Sequence, residues 1–164
     1  RPARLPDGIR GNRSRMRAVA QRVFKASVVV EGELVGEIGP GLLVYLGAAE
    51  DDDEHDVEAM TNKLTGLRIF PDDDGKMSRS LEDGSGAMLV VSQFTLLGDV
   101  RRGRRPSFDG AAEPAMAERL YEAVVSHARA KGIEVATGRF RATMDVRSRG
   151  DGPVTILIDT KKTF

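Results

Sequence analysis

The sequence predicts one α+β domain built mainly from antiparallel sheet. Its 164 residues are enough for a single domain with a substantial core. Strand-like segments occur in groups, and two amphipathic helical segments separate the groups. Regular strand–helix alternation would favour a doubly wound parallel sheet, whereas grouped strands favour an α+β domain.

The first group of strands follows from the apolar pattern. Residues 16–30 alternate apolar and polar side chains, Glu31-Gly32 supplies a turn, and residues 33–38 begin a return strand. Residues 41–48 form a continuous apolar run bounded by glycine, which indicates a strand buried on both faces.

Two helices are predicted from apolar residues that recur every three or four positions. The first helix presents Val57, Met60, Leu64 and Leu67 on one face, after an acidic stretch that suits a helix N-terminus. We expect this segment to end at Phe70-Pro71, before a turn at residues 73–75. The second helix begins near Pro114, is closed by Lys131-Gly132 and has an apolar face. That face comprises Ala117, Leu120, Tyr121, Val124, Val125 and Ala128.

The remaining strands are predicted in the second half of the chain. Residues 87–97 are the most strand-like run of all. Residues 133–138, 142–148 and 153–160 give three final strands, and residues 149–152 are expected to join the last two as a turn.

Composition excludes several classes of protein and site. Lys plus Arg and Asp plus Glu number 25 each, so a protein that coats nucleic acid through bulk positive charge is excluded. No run reaches the roughly 18 apolar residues of a membrane span. Without cysteine there is no disulfide, thiolate zinc site or cysteine nucleophile, which fits a reducing cytoplasm. We expect neither a cofactor nor a metal site.

The N-terminal segment differs in composition from the rest. Residues 1–15 carry five Arg, two Pro and two Gly without apolar periodicity, which predicts a flexible extension. A single domain is expected over residues 16–164. We interpret the extension either as a disordered tail that contacts RNA or as an artefact of the start site, and the sequence does not decide between the two.

Two short polar segments are candidate site elements. Ser92, Gln93, Phe94 and Thr95 follow an apolar strand, either as an ordinary strand exit or as hydroxyl and amide groups that line a pocket. Gly152-Pro153 followed by Val154 and Thr155 is either a plain turn or a place where a ligand approaches bare backbone.

A third candidate is the dense cluster Arg101, Arg102, Arg104 and Arg105. Four arginines in five residues indicate either a solvated loop or a phosphate contact, because arginine pairs well with phosphate.

Taken together, these segments resemble the D-aminoacyl-tRNA deacylase family. The family's paired signatures SQFTL and GPVT stand here at residues 92–96 and 152–155. The resemblance extends in order over residues 16–160, through RIFPDDDGKM, RRPSF and GRFRATMDV. One departure is Gly150, where the family commonly has Asn; it is expected to loosen the segment that presents Gly152-Pro153.

The resemblance implies a specific architecture and activity. It implies a cytoplasmic homodimer with a barrel-like core of mainly antiparallel sheets and two main helices. The Gly152–Pro153 bond would be cis, and each subunit would insert this pair into the other's pocket. The pocket would hold the 3′-terminal aminoacyl-adenosine of tRNA, with Phe140 and Met144 as further lining residues.

The implied reaction is hydrolysis of the ester in D-aminoacyl-tRNA, with glycyl-tRNA mischarged on tRNA-Ala as a second substrate and L-aminoacyl-tRNA rejected. The backbone N–H groups of Phe94 and Thr95 are expected to stabilise an oxyanion. Either the Thr95 hydroxyl attacks, or the terminal 2′-OH of tRNA orients a water molecule. A related editing module and a non-catalytic tRNA-binding protein are the alternatives.

Overall fold

The structure is a computed structural model that describes residues 15–164. Apart from Arg15, the extension predicted for residues 1–15 lies outside the described residues. The division between an extension and a domain at residue 16 therefore stays a prediction.

The described part of the chain forms eight strands and two α-helices. The strands are β1 (Arg17–Val30), β2 (Glu33–Ile38), β3 (Gly41–Gly47), β4 (Phe70–Pro71), β5 (Met77–Arg79), β6 (Ala87–Ser92), β7 (Val135–Thr137) and β8 (Asp145–Asp159). The helices are α1 (Glu54–Gly66) and α2 (Pro114–Ala130), with short 3-10 helices at Leu81–Asp83 and Phe94–Leu97.

The long strand β1 organises the main sheet, whose order is β2-β1-β3-β6-β7. Strand β8 pairs with β1 along nearly its whole length, while β3 and β2 share the opposite edge of β1. These three pairings are antiparallel, whereas β3–β6 and β6–β7 are parallel. The predicted α+β class is confirmed, with a parallel centre in a mainly antiparallel sheet.

The sheet curls until its outer strands nearly meet. A Cβ atom added at Gly36 of β2 would overlap the carbonyl oxygen of Thr137 in β7. Glycine therefore permits the close approach that makes the sheet barrel-like. The inside of the curl is filled by a buried apolar cluster that includes Val28, Leu43 and Leu89.

The second apolar cluster lies between the sheet and the two helices. Helix α1 contributes Val57, Met60 and Leu64, all fully buried, as their spacing predicts. Helix α1 begins at the cap Asp53, whose side chain accepts hydrogen bonds from the backbone N–H groups of His55 and Asp56. Helix α1 ends at Gly66, before the predicted end at Phe70-Pro71, so Leu67 of its predicted face lies beyond the helix and is half-buried.

Helix α2 begins and ends as predicted. Pro114 stands in its first turn, and Gly132 follows its C-terminal end with a φ of 84°. The predicted apolar face is buried from Leu120 to Ala128, whereas Ala117 is half-buried. The two long helical predictions are therefore confirmed.

The strand predicted over residues 87–97 is too long. Strand β6 ends at Ser92, and Phe94–Leu97 form a 3-10 helix instead. The parallel neighbour β3 ends at Gly47, so no partner strand continues beside residues 93–97. A strand-like apolar run alone does not reveal where a neighbouring strand stops.

The turn predicted at residues 149–152 is also wrong. Strand β8 runs through it continuously, and Gly150 is paired with Val23 of β1. Gly150 thus lies within the ladder, and the loop that it was expected to loosen is absent there. Both predicted strands pair with the same long β1, which joins them into one strand.

Candidate active site

A cavity of about 540 Å³ opens beside the ends of β3 and β6. Three segments wall it: the exit of β6, the residues that lead into α2, and the segment before β8. Lining residues from these segments include Ser92, Gln93, Phe94, Phe108, Ala111, Ala112, Phe140, Ala142 and Met144. Five of the predicted site residues therefore line one cavity.

A backbone contact with β3 holds Ser92, Gln93 and Phe94 in place at the end of β6. The backbone N–H of Gln93 donates to the carbonyl oxygen of Leu46 at 2.8 Å, which prolongs the contact with β3 by one residue. The chain then turns into the 3-10 helix, and Phe94 is 56% exposed at the cavity.

Gly47 is a site residue that the sequence analysis missed. It lines the cavity, and a Cβ atom added there would lie 2.7 Å from the carbonyl oxygen of Gln93. Only glycine allows the Gln93 backbone to approach β3 this closely. The available signal was a glycine inside the apolar run 41–48, which we interpreted only as part of a boundary.

Thr95 differs from its three neighbours. It is exposed, it is not among the residues that line the cavity, and its hydroxyl accepts a hydrogen bond from the side-chain amide of Gln93. Its backbone lies at the start of the 3-10 helix, where the first N–H groups have no carbonyl partner within the helix. The Thr95 hydroxyl is therefore bound by the Gln93 side chain and does not line the cavity.

Phe140 and Met144, two of the expected lining residues, also line the cavity. The ring of Phe140 packs against Tyr121 of α2 with 6.2 Å between ring centroids. Tyr121 donates a hydrogen bond to the carbonyl oxygen of Val90 at 2.8 Å, and burial raises the pKa of its hydroxyl to about 12. Tyr121 is therefore uncharged at neutral pH, and it supports the wall without serving as a base.

The cavity contains very little charge. Arg141 is the single formally charged side chain among the described lining residues, and these residues include no carboxylate and no histidine. Arg141 has a φ of 63°, an uncommon backbone conformation for a residue with a side chain. No cluster of three or more potential metal ligands occurs within residues 15–164.

Gly152 and Pro153 lie outside the cavity of their own chain. Residues 151–154 stand opposite Arg22 alone, because Gln21 pairs with Thr155 and Val23 pairs with Gly150. This part of β8 therefore bulges from the ladder. Gly152 and Pro153 are exposed on the bulge, and the bond between them is cis.

Arg22 anchors the bulge. Its guanidinium donates to the carbonyl oxygen of Ile69 at 2.6 Å and forms an ion pair with Asp151, with 3.2 Å between Nε and Oδ2. Val154 is half-buried against the core, whereas Thr155 is exposed. Arg22 was not singled out from sequence, because no local pattern connects it with a residue 129 positions away.

The arginine cluster forms the tip of a loop. Asp99 and Ser107 close this loop with two backbone hydrogen bonds of 2.7 and 2.9 Å. Arg101 donates two side-chain hydrogen bonds to Asp99, at 3.0 and 2.7 Å, and it holds the pKa of that carboxyl well below its usual range. Arg102, Arg104 and Arg105 are exposed and form no ion pair within the described chain.

Comparison with known proteins links this fold and cavity to one family. Residues 19–159 match the family described as D-Tyr-tRNA(Tyr) deacylase. The chain is 59% identical to the D-aminoacyl-tRNA deacylase of Sorangium cellulosum over 150 residues, which cover 91% of this chain and 100% of the relative. It is 56% identical to the protein of the same name from Symbiobacterium thermophilum over 149 residues, which cover 91% and 99%.

Two solved structures share the fold. One is the c-Myc DNA Unwinding Element Binding Protein, with a TM-score of 0.81, 39% identity, and coverage of 87% of this chain and 97% of that chain. The other is described as a probable eukaryotic D-amino acid tRNA deacylase, with a TM-score of 0.75, 20% identity, and coverage of 88% and 99%. The chain belongs to the D-Tyr-tRNA(Tyr) deacylase family.

Proposed function

We propose that this protein hydrolyses the ester bond of D-aminoacyl-tRNA and releases the free D-amino acid and tRNA. The observation that carries the proposal is the cavity walled by Ser92, Gln93 and Phe94 on one side and by Phe140 and Met144 on the other, in a chain of this family. A volume of about 540 Å³ is in the range of small-molecule sites, so the cavity suits the 3′-terminal aminoacyl-adenosine.

The chemistry that we propose depends on backbone more than on side chains. Because no carboxylate or histidine lines the described cavity, the attacking water has no side-chain base there. We assign its orientation to the 2′-OH of the terminal ribose. Water attacks the ester carbonyl carbon, the bond to the ribose oxygen breaks, and the proton lost by the water passes to that oxygen. The N–H groups of Phe94 and Thr95 stabilise the oxyanion.

We propose a homodimer, because the exposed Gly152 and Pro153 do not reach the cavity of their own chain. An apolar surface lies on the same part of the sheet. Val19 is paired with both Leu157 and Tyr45, so the three side chains share one face, and Leu157 is 56% exposed. A second copy placed on this face would cover Leu157 and bring its own Gly152-Pro153 pair to the cavity.

Selection against L-aminoacyl-tRNA follows from a Gly152-Pro153 pair placed at the cavity by the second copy. Carbonyl groups beside the α-carbon of the substrate would clash with an L side chain, whereas a D side chain or the hydrogen of glycine would fit. We therefore include glycyl-tRNA mischarged on tRNA-Ala among the substrates. We place the activity in the cytoplasm, where aminoacyl-tRNA is used. None of the described helices is long and apolar enough to cross a membrane.

The test is a parallel assay of two esters. The protein is incubated with D-tyrosyl-tRNA and with L-tyrosyl-tRNA, and loss of each ester is measured over time. We expect rapid loss of the D ester and spontaneous loss alone of the L ester. Equal stability of both would contradict catalysis and favour a non-catalytic tRNA-binding protein. Cleavage of L-aminoacyl-tRNA instead would favour a related editing module.

A further inference from the structure

We propose that the loop of residues 99–107, together with Phe94 and Phe108, binds the single-stranded nucleotides that precede the terminal adenosine of tRNA. This inference rests on the proposed function, because it places the terminal aminoacyl-adenosine in the neighbouring cavity. It adds a second subsite, in which Phe108 and Phe94 contact bases and three arginines contact phosphates.

The aromatic part of this subsite lies at the cavity. Phe94 and Phe108 both line the cavity, and their rings meet edge to face with 5.0 Å between centroids and 69° between planes. Phe94 is 56% exposed, so its ring remains accessible to a base. Aromatic rings in this position stack on bases without regard to sequence, which suits an invariant single-stranded tail.

The loop is fixed to the cavity wall. A Cβ atom added at Gly98 would lie 3.0 Å from the carbonyl oxygen of Thr95 and 3.1 Å from Cε1 of Phe108. The start of the loop therefore packs directly on the 3-10 helix and on the aromatic pair. The bridge between Asp99 and Ser107 closes the loop just above this contact.

The four arginines of the loop have different roles. Arg101 is occupied by Asp99 through two hydrogen bonds, so it stabilises the loop. Arg102, Arg104 and Arg105 are exposed and form no ion pair among the residues that the structure describes, and of the three only Arg102 contributes to the lowered pKa of Asp99. Guanidinium groups free of carboxylates are available for phosphate, which they bind in bidentate geometry.

The spacing suits a short stretch of RNA. Arg105 is three residues from Phe108, so their Cα atoms are at most on the order of 10 Å apart. The arginine side chain extends this reach further. A base stacked on Phe108 therefore has its own or the adjacent phosphate within reach of the loop. Because the whole chain has a net charge of zero, this local patch supplies attraction that the molecule as a whole lacks.

The experiment compares two substrates and two triple variants. The substrates are D-tyrosyl-tRNA and D-tyrosyl-adenosine, which lacks the preceding nucleotides. One variant carries Arg102→Gln, Arg104→Gln and Arg105→Gln. The matched control carries Lys63→Gln, Arg68→Gln and Lys76→Gln, which removes the same charge from exposed positions that line neither the cavity nor the loop.

We expect the loop variant to lose kcat/KM on D-tyrosyl-tRNA while its activity on D-tyrosyl-adenosine matches the control. Each lost phosphate contact lowers the slope of log affinity against log salt by about 0.7, so the slope should fall by about 2. Phe108→Leu should weaken use of the tRNA substrate about five- to hundredfold, and it should weaken use of the adenosine substrate less.

Equal behaviour of the loop and control variants on D-tyrosyl-tRNA would overturn the proposal while leaving the deacylase function intact. A separate binding assay uses uncharged tRNA with and without its terminal CCA, and it needs no catalysis. Loop substitutions should weaken binding only when the tail is present. Failure of the wild-type protein to cleave either ester would contradict the proposed function, and the binding assay would still decide on the subsite.

Discussion

At the scale of single residues, the buried carboxyl of Asp52 is the most unusual group in the described chain. Asp52 is 7% exposed, and one of its oxygens accepts a hydrogen bond from the backbone N–H of Ala49 at 2.6 Å. Ala49 in turn forms a bridge with Ala111, which lines the cavity. Burial raises the pKa of Asp52 to about 7, against opposing hydrogen bonds from the backbone.

This raised pKa predicts a pH-dependent stability. The usual pKa is 3.8, so between about pH 4 and pH 7 the folded chain holds a proton that the unfolded chain has lost. Stability from this group is therefore present at low pH and is lost as pH rises through 7. We expect Asp52→Asn to remove this dependence, on the order of 2 kcal/mol between pH 5 and pH 8.

The measurement is the melting temperature of the wild type and the variant at several values of pH from 5 to 8. Asp51→Asn is the control, because it removes the same charge from an exposed neighbour. If the wild type and Asp52→Asn curves stay parallel over this range, the Asp52 carboxyl does not titrate there.

At the scale of elements, the change from β6 to the 3-10 helix decides which side chains reach the cavity. Ser92, Gln93 and Phe94 line it, whereas the turn of the 3-10 helix leaves Thr95 exposed. Had the strand continued, side chains would have alternated between its two faces. The switch therefore brings three consecutive residues of the segment to the cavity lining.

This geometry predicts the effect of Thr95→Ala. The substitution keeps the backbone N–H and removes a hydroxyl that lies outside the cavity lining. We expect kcat on D-tyrosyl-tRNA to stay within about threefold of the wild type, because removal of a true nucleophile costs a thousandfold or more. Single-turnover kinetics is the measurement, and a thousandfold loss would restore Thr95 as the nucleophile.

The kcat of a Gly47→Ala variant is the informative comparison with Thr95→Ala. It keeps every hydroxyl but places a methyl group 2.7 Å from the Gln93 carbonyl oxygen, so the segment must move. Displacements of about 1 Å in a catalytic segment cost up to a hundredfold in rate.

At the scale of the whole molecule, we propose that a second copy of the chain completes the site. The bulge that carries Gly152 and Pro153 is anchored by Arg22, and neither residue lines the cavity of its own chain. Rigid anchoring of an exposed segment is what a contact with a second copy would require. We propose the adjacent sheet face, where Leu157 is exposed beside Val19, as the contact surface.

The homodimer predicts different effects for two exposed leucines. Leu157→Asp buries a charge in the proposed interface, so we expect a monomer with at least tenfold lower deacylase activity. Leu34→Asp is the control, since Leu34 is 54% exposed on β2. On β1, Leu157 is paired with Val19 and Leu34 with Val29. These partners lie ten residues apart, or roughly 30 Å, so the control substitution is far from the proposed interface.

Sedimentation of both variants and of the wild type gives the oligomeric state, and the D-tyrosyl-tRNA assay gives the activity. A Leu157→Asp protein that remains dimeric, or a wild-type monomer with full activity, would contradict the two-chain site.

The sequence by itself determined the helices, the buried central strands and two segments that line the cavity. Helix α1, helix α2 and strand β3 follow from local periodicity, because apolar faces must be buried whatever lies opposite them. The two signatures likewise marked the residues at the cavity and on the bulge. These properties depend on neighbours in the chain.

Only the tertiary structure decided where β6 stops, why β8 continues and which groups face the substrate. Strand β6 ends because β3 ends beside it, and β8 continues because β1 offers one unbroken edge. Arg22 holds Asp151 across 129 positions, and Gly47 makes room for Gln93. Each of these depends on contacts between residues distant in sequence, which no local pattern encodes.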